Sequence, residues 1–71
     1  MDSSNAHVLS DAESMHVFTQ AMRCARDQGD LTAGRAIAIV QEWGLSIGLG
    51  TYNFVVVDEH KYLLAKIQYG L

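Results

Sequence analysis

The sequence predicts a small α+β domain in which an antiparallel pair of helices precedes a β-hairpin, an ααββ order. Apolar residues recur at helical spacing in the first half of the chain, and glycines separate the segments. The second half is instead rich in β-branched and aromatic residues. A chain of 71 residues has room for one domain. We expect residues 1–9 to form a flexible tail and residues 10–71 to form the domain.

The first helix is predicted over residues 11–28. Ser10 and Glu13 match the S-x-x-E capping box, in which each side chain accepts a hydrogen bond from the other residue's backbone N–H. Gly29 lies where a left-handed C-terminal cap is expected. Between these signals, apolar side chains recur every three or four residues, which is typical of an amphipathic helix. The residues on this apolar face are Met15, Phe18, Ala21, Met22 and Ala25.

The second helix is predicted over residues 31–43, with Asp30 as its N-cap and Gly44 as its end. It is apolar on nearly every side, so we expect it to be buried on more than one face. One core is expected to hold five side chains from the helices and the following strand. They are Phe18, Met22, Ile37, Val40 and Phe54.

The second half of the chain predicts strands. Residues 45–49 alternate between apolar and small residues, so they are a possible short extra strand, and residues 52–57 have the composition of a strand. After the polar turn 58–61, residues 62–67 are predicted to return as the partner strand. Leu63, Leu64 and Ile67 also fit one helical face, which leaves a third helix over 60–69 as the alternative. We favour the hairpin because a lone strand 52–57 would need a partner.

The charge balance argues against a nucleic-acid-binding protein. Five Lys and Arg face eight Asp and Glu, which gives a net charge of −3, whereas phosphate binding depends on basic side chains. The second helix offers Arg35 alone for a recognition helix. The sequence contains no recognisable targeting segment and no apolar run long enough to span a membrane. The lone Cys24 fits a reducing compartment, so we expect a cytoplasmic protein.

The sequence offers little for catalysis or cofactor binding. Gly48-Leu49-Gly50 lacks the third glycine and the helix start of a phosphate-binding loop, so we interpret it as a turn. Cys24 could be a nucleophile with His16 or His60 as its base, but a small core residue is the better interpretation. His7 and the other two histidines lack the spacing of metal ligands. We therefore expect no enzymatic activity, no cofactor and no metal.

Association with another protein is the expected source of both stability and function. A core of this size supplies roughly 3–5 kcal/mol, and one cysteine allows no internal disulfide. We expect a homodimer or a surface made for a protein partner. Acidic side chains around an aromatic anchor suit a basic partner surface, and Asp58 and Glu59 would lie at the tip of the predicted hairpin. The predicted partner-binding residues are Asp27, Asp30, Asp58, Glu59 and Tyr62.

Three segments resemble the C-terminal part of a small phage-encoded anti-CRISPR protein that acts on type I systems. They are residues 36–44, which end in Glu-Trp-Gly, and residues 53–57 and 63–67. In that family an apolar helix of this kind leads into a strand hairpin. The resemblance covers under half of the chain, and residues 1–35 do not match. It implies a non-enzymatic inhibitor that blocks the nucleic-acid or partner site of a nuclease or surveillance complex.

Two hypotheses of function follow from the sequence. The first is a phage- or plasmid-encoded inhibitor that occludes a site on a host protein and acts in the host cytoplasm. The alternative is a homodimeric regulatory or antitoxin-like accessory domain. Neither hypothesis involves direct contact with nucleic acid or with a membrane.

Overall fold

The computed structural model describes residues 7–48 and 53–71 of the chain. Within these ranges the fold is α+β, and a helix pair followed by a β-hairpin is confirmed. None of the helices in the described ranges has the length and apolar character needed to cross a bilayer. The elements are β1 (His7–Val8), α1 (Asp11–Asp27), α2 (Ala33–Glu42), β2 (Leu45–Ile47), β3 (Phe54–Val56) and α3 (Glu59–Tyr69).

The three strands form one antiparallel sheet in the order β1-β3-β2. The central strand β3 pairs with both neighbours, so that Val56 lies opposite His7 on one side and Leu45 on the other. The hairpin therefore consists of β2 and β3. Its first strand comes from the segment where only an optional short strand was predicted, and residues 49–52 lie outside the described residues.

The prediction of a strand over residues 62–67 is wrong, because this segment lies within helix α3. Asp58 caps the helix by accepting a hydrogen bond from the backbone N–H of Lys61 at 3.1 Å. Gly70 ends it in the left-handed conformation, with φ of 70°. A hairpin with residues 62–67 was expected because β3 needs a partner, and β1 and β2 meet that need on both sides. The alternative of a third helix is the one that the structure shows.

The predicted tail also needs correction at its C-terminal end. His7 and Val8 pair with β3, and the backbone N–H of Leu9 donates to the carbonyl oxygen of Phe54 at 2.9 Å. The Leu9 side chain is only 1% exposed, so it belongs to the core. Three residues are too few to show a periodic pattern, which is why the sequence predicted a tail. Residues 1–6 lie outside the described residues.

The capping box at the start of α1 is confirmed. The Ser10 N–H donates to the Glu13 carboxylate at 2.9 Å, and the Glu13 N–H donates to the Ser10 hydroxyl at 3.1 Å. These hydrogen bonds favour the charged carboxylate and hold the pKa of Glu13 below its usual range. At the other end of the helix, Gly29 has φ of 79°, the left-handed conformation that was expected there.

Helix α2 begins two residues later than predicted, and its N-cap is Thr32 rather than Asp30. The Thr32 hydroxyl accepts from the backbone N–H of Arg35 at 3.1 Å. It also donates to the Asp30 carboxylate at 3.2 Å, so Asp30 supports the cap from outside the helix. Both residue types are good caps, and the sequence alone did not separate them.

The core lies between the helices and the sheet, and the predicted core is correct in part. Val40 and Phe54 are buried, while Phe18 and Met22 are half-buried and pack against the buried cluster. Ile37 is half-buried and lines a surface groove instead. The buried hydrophobic residues are Leu9, Val17, Ala21, Ala25, Ala36, Ile39, Val40, Trp43, Leu45, Phe54, Val56, Tyr62 and Ala65.

Candidate functional site

The structure does not bring the predicted acidic residues together. Asp27 and Asp30 lie at the connection from α1 to α2, whereas Asp58 and Glu59 lie at the start of α3. The backbone carbonyl oxygen of Gly44, just after α2, accepts from the Asp58 N–H at 3.1 Å. The two acidic pairs therefore lie at opposite ends of α2, whose length is about 15 Å at 1.5 Å per residue. The two pairs therefore do not form one acidic cluster.

Asp58 and Glu59 do not lie at a hairpin tip. The Asp58 carboxylate is occupied within the fold, since it accepts from the Lys61 N–H as the α3 cap. Glu59 is exposed in the first turn of α3, where the helix dipole favours an acidic side chain. Of these two residues, Glu59 is the one whose charge faces solvent without a capping role.

Tyr62 is a core residue, and the prediction that it anchors a partner is wrong. The side chain is 6% exposed. Its ring meets the His7 ring edge-on, with the centroids 6.4 Å apart, and the Lys66 Nζ lies 5.4 Å from its centroid. Burial raises the pKa of the Tyr62 hydroxyl, and the charge of Glu13 raises it further. Tyr62 was assigned to the surface because it follows two acidic residues. Its place on the buried face of a helix was not recognised, since the segment was predicted to be a strand.

Asp27 and Asp30 remain exposed at the α1–α2 connection. Asp27 lies 4.0 Å from the Arg26 Nε, an exposed ion pair of small energetic value. Asp30 accepts from Thr32 as described above, yet it stays on the surface. These two carboxylates can contribute a local negative field, and neither of them lines the apolar groove described below.

An apolar groove of about 500 Å³ lies between α1, α2 and the β2–β3 hairpin. Its apolar walls come from three elements, and its remaining lining residues are polar. Met15 of α1 is 72% exposed and Ile47 of β2 is 47% exposed, while Phe54 at the base is buried. The apolar lining residues are Met15, Phe18, Ile37, Ile47 and Phe54, and the polar ones are Asp11, Ser14 and Asn53.

The polar side of this groove is held in place by hydrogen bonds. The Asn53 Nδ2 donates to the Asp11 carboxylate at 2.8 Å and to the Leu9 carbonyl oxygen at 2.9 Å. The Ser14 hydroxyl accepts from the buried N–H of Phe54 at 3.0 Å. These bonds tie α1 to the sheet, so the groove is largely preformed, as binding sites usually are. Sequence analysis placed Met15 and Phe18 on the apolar helix face but assigned that whole face to the core.

A second apolar surface lies on the outer face of α3. Leu63, Leu64 and Ile67 are 55%, 51% and 76% exposed, and their spacing places them on one face of the helix. The opposite face is buried through Tyr62 and Ala65. We call the three exposed residues the α3 stripe.

The candidate nucleophile and metal ligands do not form a reactive site in the described residues. Cys24 is half-buried, and burial raises the pKa of its thiol, with a further rise from the Asp27 carboxylate. A protonated thiol is a poor nucleophile. The His16 Nε2 lies 2.9 Å from the Gly70 carbonyl oxygen. In residues 7–48 and 53–71, no three His, Cys, Asp or Glu side chains lie close enough to hold a metal ion.

Comparison of the chain with family models, with curated proteins and with solved structures found no match. Two of the three segments that resemble an anti-CRISPR protein lie in α2 and at β3, in the order of a helix followed by a strand. The third, residues 63–67, lies in α3 and not in a strand.

Proposed function

We propose that this protein is a non-enzymatic inhibitor that binds a partner protein and occludes one of its functional sites. The observation that carries the proposal is the apolar groove with its exposed wall. Met15 and Ile47 stay accessible beside the half-buried Phe18 and Ile37. Contiguous exposed apolar surface on a small domain marks an interaction site more often than an accident of folding.

The chemistry of the groove describes the partner. Its apolar base suits an aliphatic or aromatic side chain, and the Asp11 carboxylate on its wall favours a neighbouring basic residue. The net charge of −3 favours a partner with a basic surface. Asp27 lies about 24 Å from Asp11 along α1, so Asp27 and Asp30 would act on the association rate through the overall field.

The resemblance to anti-CRISPR proteins supplies the specific form of the proposal. It makes the partner a nuclease or surveillance complex of a type I system, whose basic surface holds nucleic acid. A chain of this kind would be encoded by a phage or plasmid and would act in the host cytoplasm. Support for this form comes from residues 36–44 and 53–57, which keep the order of a helix followed by a strand.

Affinity capture with quantitative mass spectrometry tests the proposal. The tagged parent chain is compared with Met15→Lys, which places a cation in the groove, in lysates of bacteria with and without a type I system. Leu31→Lys is the matched control, because Leu31 is 56% exposed and lies before α2, outside the groove. Circular dichroism verifies that both variants fold.

We expect one host protein or complex to be enriched by the parent and by Leu31→Lys, and to be lost with Met15→Lys. If the partner is enriched from the lysate that contains a type I system and not from the other lysate, the result supports the anti-CRISPR form. Equal enrichment by both variants would exclude the groove as the binding site, and no enrichment from either lysate would exclude the proposed inhibitor.

A further inference from the structure

We propose that Met15 is a site of reversible oxidation, and that its conversion to the sulfoxide weakens binding of an apolar partner in the groove. The effect on binding rests on the proposed function, because it concerns the same groove. The oxidation itself is a property of the chain alone and can be measured without a partner. The oxidant is a two-electron oxidant of the peroxide class, represented by hydrogen peroxide.

Met15 is far more accessible to a small oxidant than Met22. Met15 lies on α1 at the wall of the groove and is 72% exposed. Met22 lies about two helical turns further along α1, where it is half-buried and packs against the core. Since the susceptibility of a sulfur-containing side chain follows its exposure, Met15 is expected to react before Met22.

The thiol of Cys24 does not compete well for the oxidant. The side chain is half-buried, and burial and the Asp27 carboxylate both raise the pKa of the thiol. Peroxides react with the thiolate form, which a raised pKa makes scarce near neutral pH. Among the sulfur atoms in the described ranges, that of Met15 is therefore the one expected to react first.

The oxidation step transfers one oxygen atom to the thioether. A lone pair of the Met15 sulfur attacks one oxygen of hydrogen peroxide, an S–O bond forms and the O–O bond breaks. The second oxygen leaves with both protons as water, so the sulfur is oxidised by two electrons and the peroxide is reduced. Methionine sulfoxide reductases reverse the step at the expense of a dithiol, which becomes a disulfide while the oxygen leaves as water.

The sulfoxide changes the character of the groove wall. The thioether of Met15 is apolar, as are the other side chains of this wall, Phe18, Ile37 and Ile47. A partner that covers the oxidised wall must remove a polar sulfoxide oxygen from water, and burial of a polar group is unfavourable. We therefore expect about tenfold weaker binding after oxidation. The exposed position of Met15 lets the fold remain intact.

Peptide mapping after graded exposure to hydrogen peroxide tests the oxidation site. Chymotrypsin cleaves after Phe18, which separates Met15 from Met22 and Cys24, and tandem mass spectrometry locates each added oxygen. We expect Met15 to be oxidised several-fold faster than Met22 in the folded chain. In urea the two rates are expected to be equal, because unfolding removes the difference in exposure. Equal rates in the folded chain, or faster oxidation of Met22, would overturn the proposal.

Binding of the captured host protein tests the effect on the groove. After peroxide, the parent is treated with dithiothreitol, which reduces oxidised cysteine but not the sulfoxide, and is expected to bind about tenfold more weakly. Met22→Leu is the matched control and is expected to lose affinity on oxidation as the parent does. Met15→Leu is expected to bind equally before and after peroxide, whatever its starting affinity. Circular dichroism verifies the fold of each sample.

Methionine sulfoxide reductases A and B, supplied with dithiothreitol, are expected to restore binding by the oxidised parent. Unchanged binding by a parent oxidised at Met15, or an equal loss in Met15→Leu, would overturn the effect on the groove and leave the proposed inhibitor standing. If the unoxidised parent captures no partner, the proposed inhibitor fails and the effect on binding fails with it. The peptide map then decides the oxidation site by itself.

Discussion

Ser14 links α1 to the central strand through a buried hydrogen bond. Its hydroxyl accepts from the Phe54 N–H at 3.0 Å, and the residue is 5% exposed. Ser14→Ala leaves this N–H buried without a partner, so we expect the free energy of unfolding to fall by about 1–3 kcal/mol. Urea denaturation measures the change.

Thr19→Ala is the matched control for Ser14→Ala. The Thr19 hydroxyl also lies on α1, but it donates to the Met15 carbonyl oxygen at an exposed position. A change within about 0.5 kcal/mol is expected there. If the free energy of unfolding falls equally in the two variants, the buried Ser14 hydrogen bond contributes no more to stability than the exposed Thr19 one.

Gly44 is required by both its backbone conformation and its surroundings. Its φ is 82°, and an added Cβ would meet the backbone carbonyl oxygen of Asp58. Gly29 has φ of 79° but open space around it. Gly29→Ala therefore reports the conformational cost alone, about 1–2 kcal/mol, and Gly44→Ala is expected to cost clearly more. Thermal unfolding compares them, and similar midpoints would contradict close packing at Gly44.

The sequence predicted the ends of the first two helices well, but it did not predict the contacts that some of these residues make. The capping box and Gly29 are signals between neighbouring residues, so α1 was predicted almost to the residue. Gly44 was correctly placed as the end of the second helix. Its close approach to Asp58 depends on contacts between distant segments, which composition and periodicity do not encode.

Helix α3 depends on the cap that Asp58 supplies. Asp58→Ala removes the acceptor for the Lys61 N–H, and we expect a loss of about 0.5–2 kcal/mol. Glu59→Lys keeps the cap and alters only the interaction with the helix dipole, which costs about 0.3–1 kcal/mol. Reversing both acids together would mix a folding defect with any effect on binding. If the two single variants unfold alike, the cap contributes less than the structure indicates.

The misassignment of α3 has a definite cause. Leu63, Ala65 and Ile67 fit one face of a strand, while Leu63, Leu64 and Ile67 fit one face of a helix. The choice depended on whether β3 lacked a partner. The strands that fill its edges are two and three residues long, too short to give a periodic signal. The same error affected the predicted partner-binding residues, because the burial of Tyr62 and the exposure of the α3 stripe both follow from the helix.

The groove was beyond prediction for a related reason. Periodicity identified the apolar face of α1, but it does not say how much of that face the sheet covers. Met15 of α1 and Ile47 of β2 both line the groove and remain exposed. The exposed acids Asp27 and Asp30, in contrast, were correctly expected on the surface, as charged residues at a helix connection usually are.

The whole molecule rests on one core, in which Phe54 is central and Phe18 peripheral. Phe54 is 5% exposed, whereas Phe18 is half-buried at the groove. Phe54→Ala is expected to cost about 3–5 kcal/mol, enough to unfold much of a domain this small. Phe18→Ala is expected to cost less and to leave a folded protein. Thermal unfolding orders the two variants, and a larger loss in Phe18→Ala would contradict the assigned core.

The proposed inhibitor would act by occupying a site on its partner and not by catalysis. The most direct test titrates the protein into its captured partner and follows binding of the partner's own ligand by fluorescence anisotropy. We predict that ligand binding falls in proportion to added protein and ends at one chain per partner site. The partner, freed in high salt and verified unmodified by intact mass, should bind its ligand again. Complete loss of ligand binding at far below one chain per site, or a ternary complex that retains the ligand, would contradict inhibition by occupancy.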